Sequence, residues 1–452
     1  MSKTYITDFT QGSVPKHLLV FSAPLFLSNL LQVVYNLVDM VIVGHVAGEV
    51  GLSAVSIGGD ISSFLTFVSM GFSSAGQVLI AQYIGAGCRN RVGKFVCTMA
   101  SFLLTVSVVL SAVCLIFREG ILQLMNTPAE SYEQTLDYAT VCMFGMMFIY
   151  GYNIIGAVLR GMGDSKHPFI FISLAAVLNV LLDILFVIVL DFGAKGAALA
   201  TVISQGVSFL SCVLFLMKNR KKFELDLQLR DFLHWDIPML SALIKLGIPM
   251  AIKSAAIHFS KLFVNSWINS YGVSVSAVAG IANKFSSISN LFSQAINTAG
   301  ASMVGQNIGA KKYNRVPKVM LTSFAITLVV ATILSVTLIS FPSFIFGIFT
   351  DKEEVLSVCM EYLPIAIVIF YGSSFRACMN ALINGSGNYR INFVTAILDG
   401  MIMRIGLSIF FGLVMDMTYV GFWLGDALAG FTPFFIGIVY YFSGKWEKGQ
   451  VV

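Results

Sequence analysis

The sequence predicts an all-α polytopic membrane protein, with twelve transmembrane helices in two six-helix bundles related by pseudo-two-fold symmetry along the membrane normal. Three observations predict it. The first is composition: of 452 residues, 57% are hydrophobic and 11% charged, where soluble domains carry roughly 25% charged residues, and the mean hydropathy is +0.84. The second is that apolar stretches of about 20 residues, the length of a membrane-spanning helix, recur along the whole chain. They do not alternate polar and apolar residues, as the strands of an outer-membrane barrel would. The third is an internal repeat, which divides the chain into equal halves.

The elements follow in order. The first 14 or so residues are polar and lead into a long apolar run. That run exceeds a signal-peptide core and lacks an evident cleavage site, so it reads as a retained first helix. Twelve spans are expected at 16–44, 52–82, 93–117, 134–159, 167–190, 194–217, 239–269, 274–307, 318–348, 355–384, 391–415 and 419–442. An even number puts both termini on one side. With the termini cytoplasmic, the inner segments hold 19 of the 28 Lys and Arg and the outer loops hold three, Arg118, Lys195 and Lys352. This bias orients the chain in a plasma membrane with both termini inside. The net charge of +5 is therefore a topology signal and does not point to nucleic acid. The seven Cys are scattered, mostly in apolar runs, without a C-x-x-C pair, and read as buried small residues.

Residues 218–238, "KNRKKFELDLQLRDFLHWDIP", form the longest polar connection and read as a cytoplasmic linker, helical in part. They separate a first lobe, 1–217, from a second, 239–452. "AGQVLIAQYIGAGCRNRVGK" at 75–94 matches "AGASMVGQNIGAKKYNRVPK" at 299–318 without a gap. "VLRGMGDSK" at 158–166 and "LINGSGNYR" at 382–390 keep two glycines at the same shift, and Pro24 stands opposite Pro249. Six spans per repeat make the duplication parallel, an architecture of alternating-access transporters.

Polar residues inside the spans mark candidate sites, because a charge in hydrocarbon is costly and is functional by default. Ser28, Gln32, Tyr35 and Asp39 are spaced 4, 3 and 4 apart and share one helix face. Asn179 and Asp183 share a face of the fifth span, the fourth carries Asn153, and the sixth carries Thr201 and Gln205. These oxygen donors suit a hard cation such as Na⁺; two close carboxylates could equally share a proton. Pro24 and Pro249 are candidate helix bends. The second half differs: its spans carry Lys253, Lys261, Lys284, Arg376 and Arg404 with Asp399 and Asp426, and Val264 stands opposite Asp39.

The pattern P-x₇-Q-x₂-Y-N-x₂-D from Pro24 to Asp39, followed by "VG", resembles the first helix of multidrug and toxic compound extrusion transporters. So do "QYIGAG" at 82–87, "RGMGD" at 160–164, "NVLLD" at 179–183 and "GAKGAALAT" at 193–201. The resemblance runs over about 15–442. It implies export of amphipathic, cationic drugs or toxic metabolites, driven by inward Na⁺ or H⁺ and without a cofactor, by a functional monomer. It also implies that Asp39, Asn153, Asn179, Asp183 and Thr201 bind the coupling cation, with Asp39, Asn179 and Asp183 as the Na⁺ ligands if Na⁺ is used. Gln32, Tyr35, Pro24, Lys253, Lys261 and Arg376 are candidates for substrate contact or gating. The alternative on this scaffold is a flippase or exporter of a lipid-linked saccharide or an anionic metabolite. An enzyme is not expected: H-E-x-x-H and G-x-S-x-G are absent, and "GAGCRNRVGKF" has Cys88 and Phe95 where a nucleotide loop needs Gly and Ser or Thr.

Overall fold

The computed structural model describes residues 4–448, except the Leu229 side chain. It is helical along nearly all of its length. The twelve expected spans are α1 (Val14–Val46), α2 (Gly48–Gly85), α3 (Arg89–Ile116), α4 (Tyr132–Gly161), α5 (Lys166–Val189), α6 (Gly193–Lys218), α7 (Ile237–Asn269), α8 (Val273–Gly309), α9 (Val316–Ser340), α10 (Glu353–Gly385), α11 (Tyr389–Val414) and α12 (Thr418–Phe442). Among the described residues, eleven of these are long and apolar enough to cross a membrane. The twelfth, α8, is 37 residues long and more polar. Its Ser286, Ser289, Ser293, Ser302, Gln306 and Asn307 are buried against protein, which is how polar side chains are tolerated in a bilayer.

One expectation is corrected. The ninth span does not run to 348: α9 stops at Ser340, and Pro342 opens a separate short helix to Gly347. Proline lacks the N–H that would continue the ladder but fits a first helical turn. The linker is helical in part, as expected: between the flanking spans it carries one short helix, Leu229–Leu233. After it, Asp236 accepts from the Met239 N–H at 3.0 Å and pairs with Lys94 at 2.8 Å. The Lys94 ammonium holds the Asp236 carboxyl below the usual carboxylate range.

The repeat is visible in the backbone. Left-handed φ values recur 224 residues apart at Gly48 and Gly272, at Gly87 and Lys311, and at Gly163 and Gly387. Further on they recur 225 apart, at Asp191 and Asp416 and at Gly193 and Thr418. The second half has therefore gained one residue between Gly387 and Asp416. It also has a π turn, Leu398–Ile402, in addition to a π turn near the end of the span, which both halves share (Ile184–Val189 and Phe410–Val414). A π turn is how a helix absorbs one extra residue without ending. Ser260 donates to the Gly400 carbonyl within that turn.

The described residues cluster into two compact units: those up to Thr7 with Leu27–Gly247, and Asp8–Phe26 with those from Ile248 onward. The membership of α1 changes two residues after Pro24, and that of α7 just before Pro249. In the first unit the Tyr5 and Thr7 N–H groups donate to the carbonyls of Lys222 and Met162. In the second unit the Phe9 N–H donates to Gln306 Oε1 at 2.9 Å, and Arg315 donates to the carbonyls of Phe9, Gln11 and Gly12. Val43, Ala54, Cys142, Val187 and Ala198 form a core cluster of the first unit. Larger clusters around Phe21, Met303 and Leu382, and around Ile268, Tyr362 and Phe422, fill the second.

Two close helix approaches obey the repeat as well. A Cβ on Gly161 would lie 2.8 Å from the Gln77 carbonyl oxygen and 2.9 Å from Ile80 Cβ, bringing α4 onto α2. A Cβ on Gly385 would lie 2.7 Å from the Ala301 carbonyl oxygen and 2.7 Å from Val304 Cβ, bringing α10 onto α8. Each glycine, and each carbonyl it meets, has its counterpart 224 residues away. Gly161→Val and Gly385→Val are each expected to cost about 1–3 kcal/mol or more through overpacking, read as a lower unfolding midpoint in detergent. A midpoint equal to wild type would show that the helices can separate freely there.

Candidate functional site

The site in the first unit is assembled from the sequence upward. Asp39 lies one helical turn from Tyr35 on α1, and Asn179 lies one turn before Asp183 on α5. Their side chains are withdrawn from solvent: Asp39 is 8% exposed, Asn179 1% and Asp183 0%. The Asp39 and Asp183 carboxyls lie within hydrogen-bond reach of each other. Asp183 is the last α-helical residue before the π turn of α5. Asn179 donates through Nδ2 to Thr201 Oγ1 of α6, a long contact of 3.5 Å. Asp39, Asn179, Asp183 and Thr201 are thus brought together from three helices.

Asn153 is placed differently. It donates to Ser69 Oγ of α2 at 3.3 Å, and no described contact joins it to the acid pair. Tyr35 pairs with Gln205 of α6 and lies close to Asp39. Gln32 is half-buried on the same face of α1. Pro24 lies further up α1, in the stretch that belongs to the second unit.

The acid pair is short of donors. Asp39 Oδ1, Asn179 Oδ1 and both carboxyl oxygens of Asp183 are buried and accept no hydrogen bond. Ionised carboxylates are acceptors only. Two of them side by side in a poorly polarisable interior repel, and each also loses its hydration. The arrangement is satisfied by a proton on one carboxyl or by a cation among the four oxygens, and oxygen ligands of this kind suit a hard monovalent or divalent ion.

Tyr138 of α4 was not singled out in the sequence, yet it stands close to both Asp39 and Asp183. Its hydroxyl neighbours the Cys142 thiol, which also meets Ser62. Gly58 makes room for it, since a Cβ there would lie 2.3 Å from the ring. The signal that could have found it is the repeat, because Tyr362 stands 224 residues later.

In the second unit, Arg404 is 1% exposed and Asp399 is fully buried. Arg404 bonds Asp426 through Nη1 and Asp399 through Nη2, the latter at 3.4 Å. Asp399 and Arg404 are five residues apart, which an ordinary α-helix aligns only loosely; the π turn between them puts both on one face. Lys253 donates to Asn380 Oδ1 at 2.7 Å, and Arg376 to the Gly430 carbonyl at 3.4 Å. Lys261 lies close to Asp426 and Arg404.

Replacing Asp183 by Asn would give Asp39 a donor and remove one buried charge. Asp183→Asn is therefore expected to raise the unfolding midpoint of the detergent-solubilised protein at pH 8 without Na⁺. A lower midpoint would contradict the picture of a donor-poor acid pair.

Comparisons with known proteins agree with the fold. The chain is 28% identical over 446 residues to the Probable multidrug resistance protein YoeA of Bacillus subtilis, covering 98% of this chain and 96% of the relative. It is 23% identical to the Probable multidrug resistance protein NorM of Thermotoga maritima, covering 100% of this chain and 97% of the relative. Among solved structures, a MATE in the straight conformation matches with a TM-score of 0.90 at 22% identity, over 99% of this chain and 100% of that one. An outward-facing multidrug resistance MATE family transporter of the MOP superfamily matches with a TM-score of 0.91 at 22% identity, over 100% of both chains. The MatE family model matches residues 24–185 and again 249–412, once in each half of the repeat, and the chain belongs to the MatE family of multi-pass membrane transporters.

Proposed function

We propose that this chain is a secondary active exporter of amphipathic organic compounds, driven by inward Na⁺ or H⁺ through alternating access, and that Asp39 and Asp183 bind the coupling cation. The observation that carries the reading is the cluster of four buried oxygens on Asp39, Asn179 and Asp183 that no protein donor reaches. The names of the relatives, multidrug resistance and export proteins, support export of drug-like compounds. Cationic amphipaths are the class that the resemblance implies. The positive-inside bias supports a plasma-membrane protein with cytoplasmic termini. The duplicated halves in one chain support a functional monomer. The reaction needs no cofactor.

The chain's own groups divide the work. Asp39 and Asp183 supply charge, Asn179 Oδ1 and Thr201 Oγ1 supply neutral oxygens, and Asn153 is a further neutral candidate one helix away. A cation between the carboxylates relieves their repulsion and draws α1 and α5 together; without it they are pushed apart. That difference in free energy between two arrangements of the same helices is what coupling requires. Tyr35 and Gln32 lie on the α1 face that moves with Asp39, and Pro24 interrupts the α1 hydrogen-bond ladder where the helix can bend. Substrate that favours the cation-free arrangement is then exchanged for the ion.

The test uses proteoliposomes and the cationic dye rhodamine 6G, with a Na⁺ gradient and a pH gradient imposed separately. One gradient is expected to drive dye movement, and Asp39→Asn is expected to lower the initial rate at least tenfold at equal protein level. Undiminished gradient-driven movement in Asp39→Asn would remove the acid pair from the mechanism.

A further inference from the structure

The two halves build the same site with opposite charge. Beyond the extra residue in α11 the repeat shift is 225, so Arg404 takes the place of Asn179, Ser408 of Asp183 and Asp426 of Thr201. Val264 takes the place of Asp39, at the same shift as Pro24 and Pro249. From Gly48 to Gly163 the shift is 224, and Tyr362 and Ser286 take the places of Tyr138 and Ser62. The contact from Asn179 to Thr201 recurs as the one from Arg404 to Asp426. At this position the second unit has a pocket of about 20 Å³, room for a water or two. Its lining includes Lys261, Val264, Tyr362, Trp423 and Asp426.

The charges around it do not balance. Lys253, Lys261, Arg376 and Arg404 interact with one another and with only two carboxylates, Asp399 and Asp426. Arg404 takes hydrogen bonds to both. Lys253 is left with an amide oxygen and Arg376 with a backbone carbonyl. Lys261 lines the pocket and makes no hydrogen bond or ion pair among the described contacts. With both lysines protonated, the cluster holds two positive charges more than its own acids neutralise. An uncompensated charge inside a bilayer is costly and calls for a counter-ion.

We infer that the cations Lys253, Lys261 and Arg376 receive the acid group of an exported compound, a carboxylate or a group like it, so that the substrates include anionic or zwitterionic amphipaths. The inference rests on the reading of the chain as an exporter. An organic acid suits the site better than a bare inorganic anion because the apolar side chains Val264, Ile268, Tyr362 and Trp423 stand beside Lys261.

The test compares two dyes on one xanthene scaffold: fluorescein, which carries a free acid, and rhodamine 6G, a cation whose acid is esterified. Binding to the purified chain in detergent is followed by anisotropy. It needs no gradient, so it reads the site even if coupling through Asp39 fails. Fluorescein is expected to bind at least tenfold tighter than rhodamine 6G. The double variant Lys253→Gln and Lys261→Gln is expected to weaken fluorescein binding about tenfold or more, the loss of charge-assisted hydrogen bonds. The double Lys→Arg variant, which keeps the charge, is expected to retain it and guards against loss of fold. Equal binding of both dyes, or unchanged fluorescein binding in the Gln variant, would overturn the inference. So would displacement of fluorescein by sodium chloride or short-chain phosphatidylglycerol with no fluorescein export from liposomes; the site would then belong to an inorganic anion or a lipid headgroup.

Discussion

Hydrocarbon offers no hydrogen bonds, so every polar group inside a membrane protein must be satisfied by the protein or by something the protein binds. Most of this chain obeys that rule internally. The serines of α8 find partners: Ser289 meets Ser373 Oγ at 2.7 Å and Ser293 donates to the Ser373 carbonyl at 3.0 Å. Arg404 is covered by two carboxylates. The pair Asp39 and Asp183 departs from that rule, because two ionised carboxylates cannot supply each other with a donor. On the proposed reading, a fold that buries them together makes its own packing depend on a cation or a proton.

Much of this was legible in the sequence. Hydropathy located the spans to within a few residues, the end of the ninth excepted, because span length is set by bilayer thickness rather than by tertiary detail. The i, i+4 spacing located the polar faces of α1 and α5, because helical periodicity is local. Asn153 illustrates the limit. Its side chain turns to Ser69, and only packing between α4 and α2 decides that. Tyr138 was hidden for a related reason: a tyrosine in an apolar run carries no signal until the helix beside it is known. The π turns were also invisible. The shift of one residue between the early and late parts of the repeat was there to be counted, but only the left-handed turns of the backbone fix where it falls.

That single residue has consequences. The added turn at Leu398–Ile402 aligns Asp399 with Arg404 and lets one guanidinium hold two carboxylates. In the duplicate, the place of a neutral amide is thus filled by a permanent cation, since arginine stays protonated in proteins. One half keeps an excess of acceptors and the other a cluster of basic side chains. Duplication supplied two equivalent frames, with the same close approaches at Gly161 and Gly385. Side-chain exchange then gave the frames opposite electrostatics while their helix packing stayed the same.

The central claim is that the acid pair binds one cation. The most direct measurement counts it: equilibrium binding of radioactive Na⁺, with proton uptake or release followed by an indicator dye, on purified wild type and on the double variant Asp39→Asn and Asp183→Asn. The account predicts that wild type takes up about one Na⁺ or one H⁺ per chain more than the variant. Identical uptake of both ions by the two proteins, each folded, would contradict it.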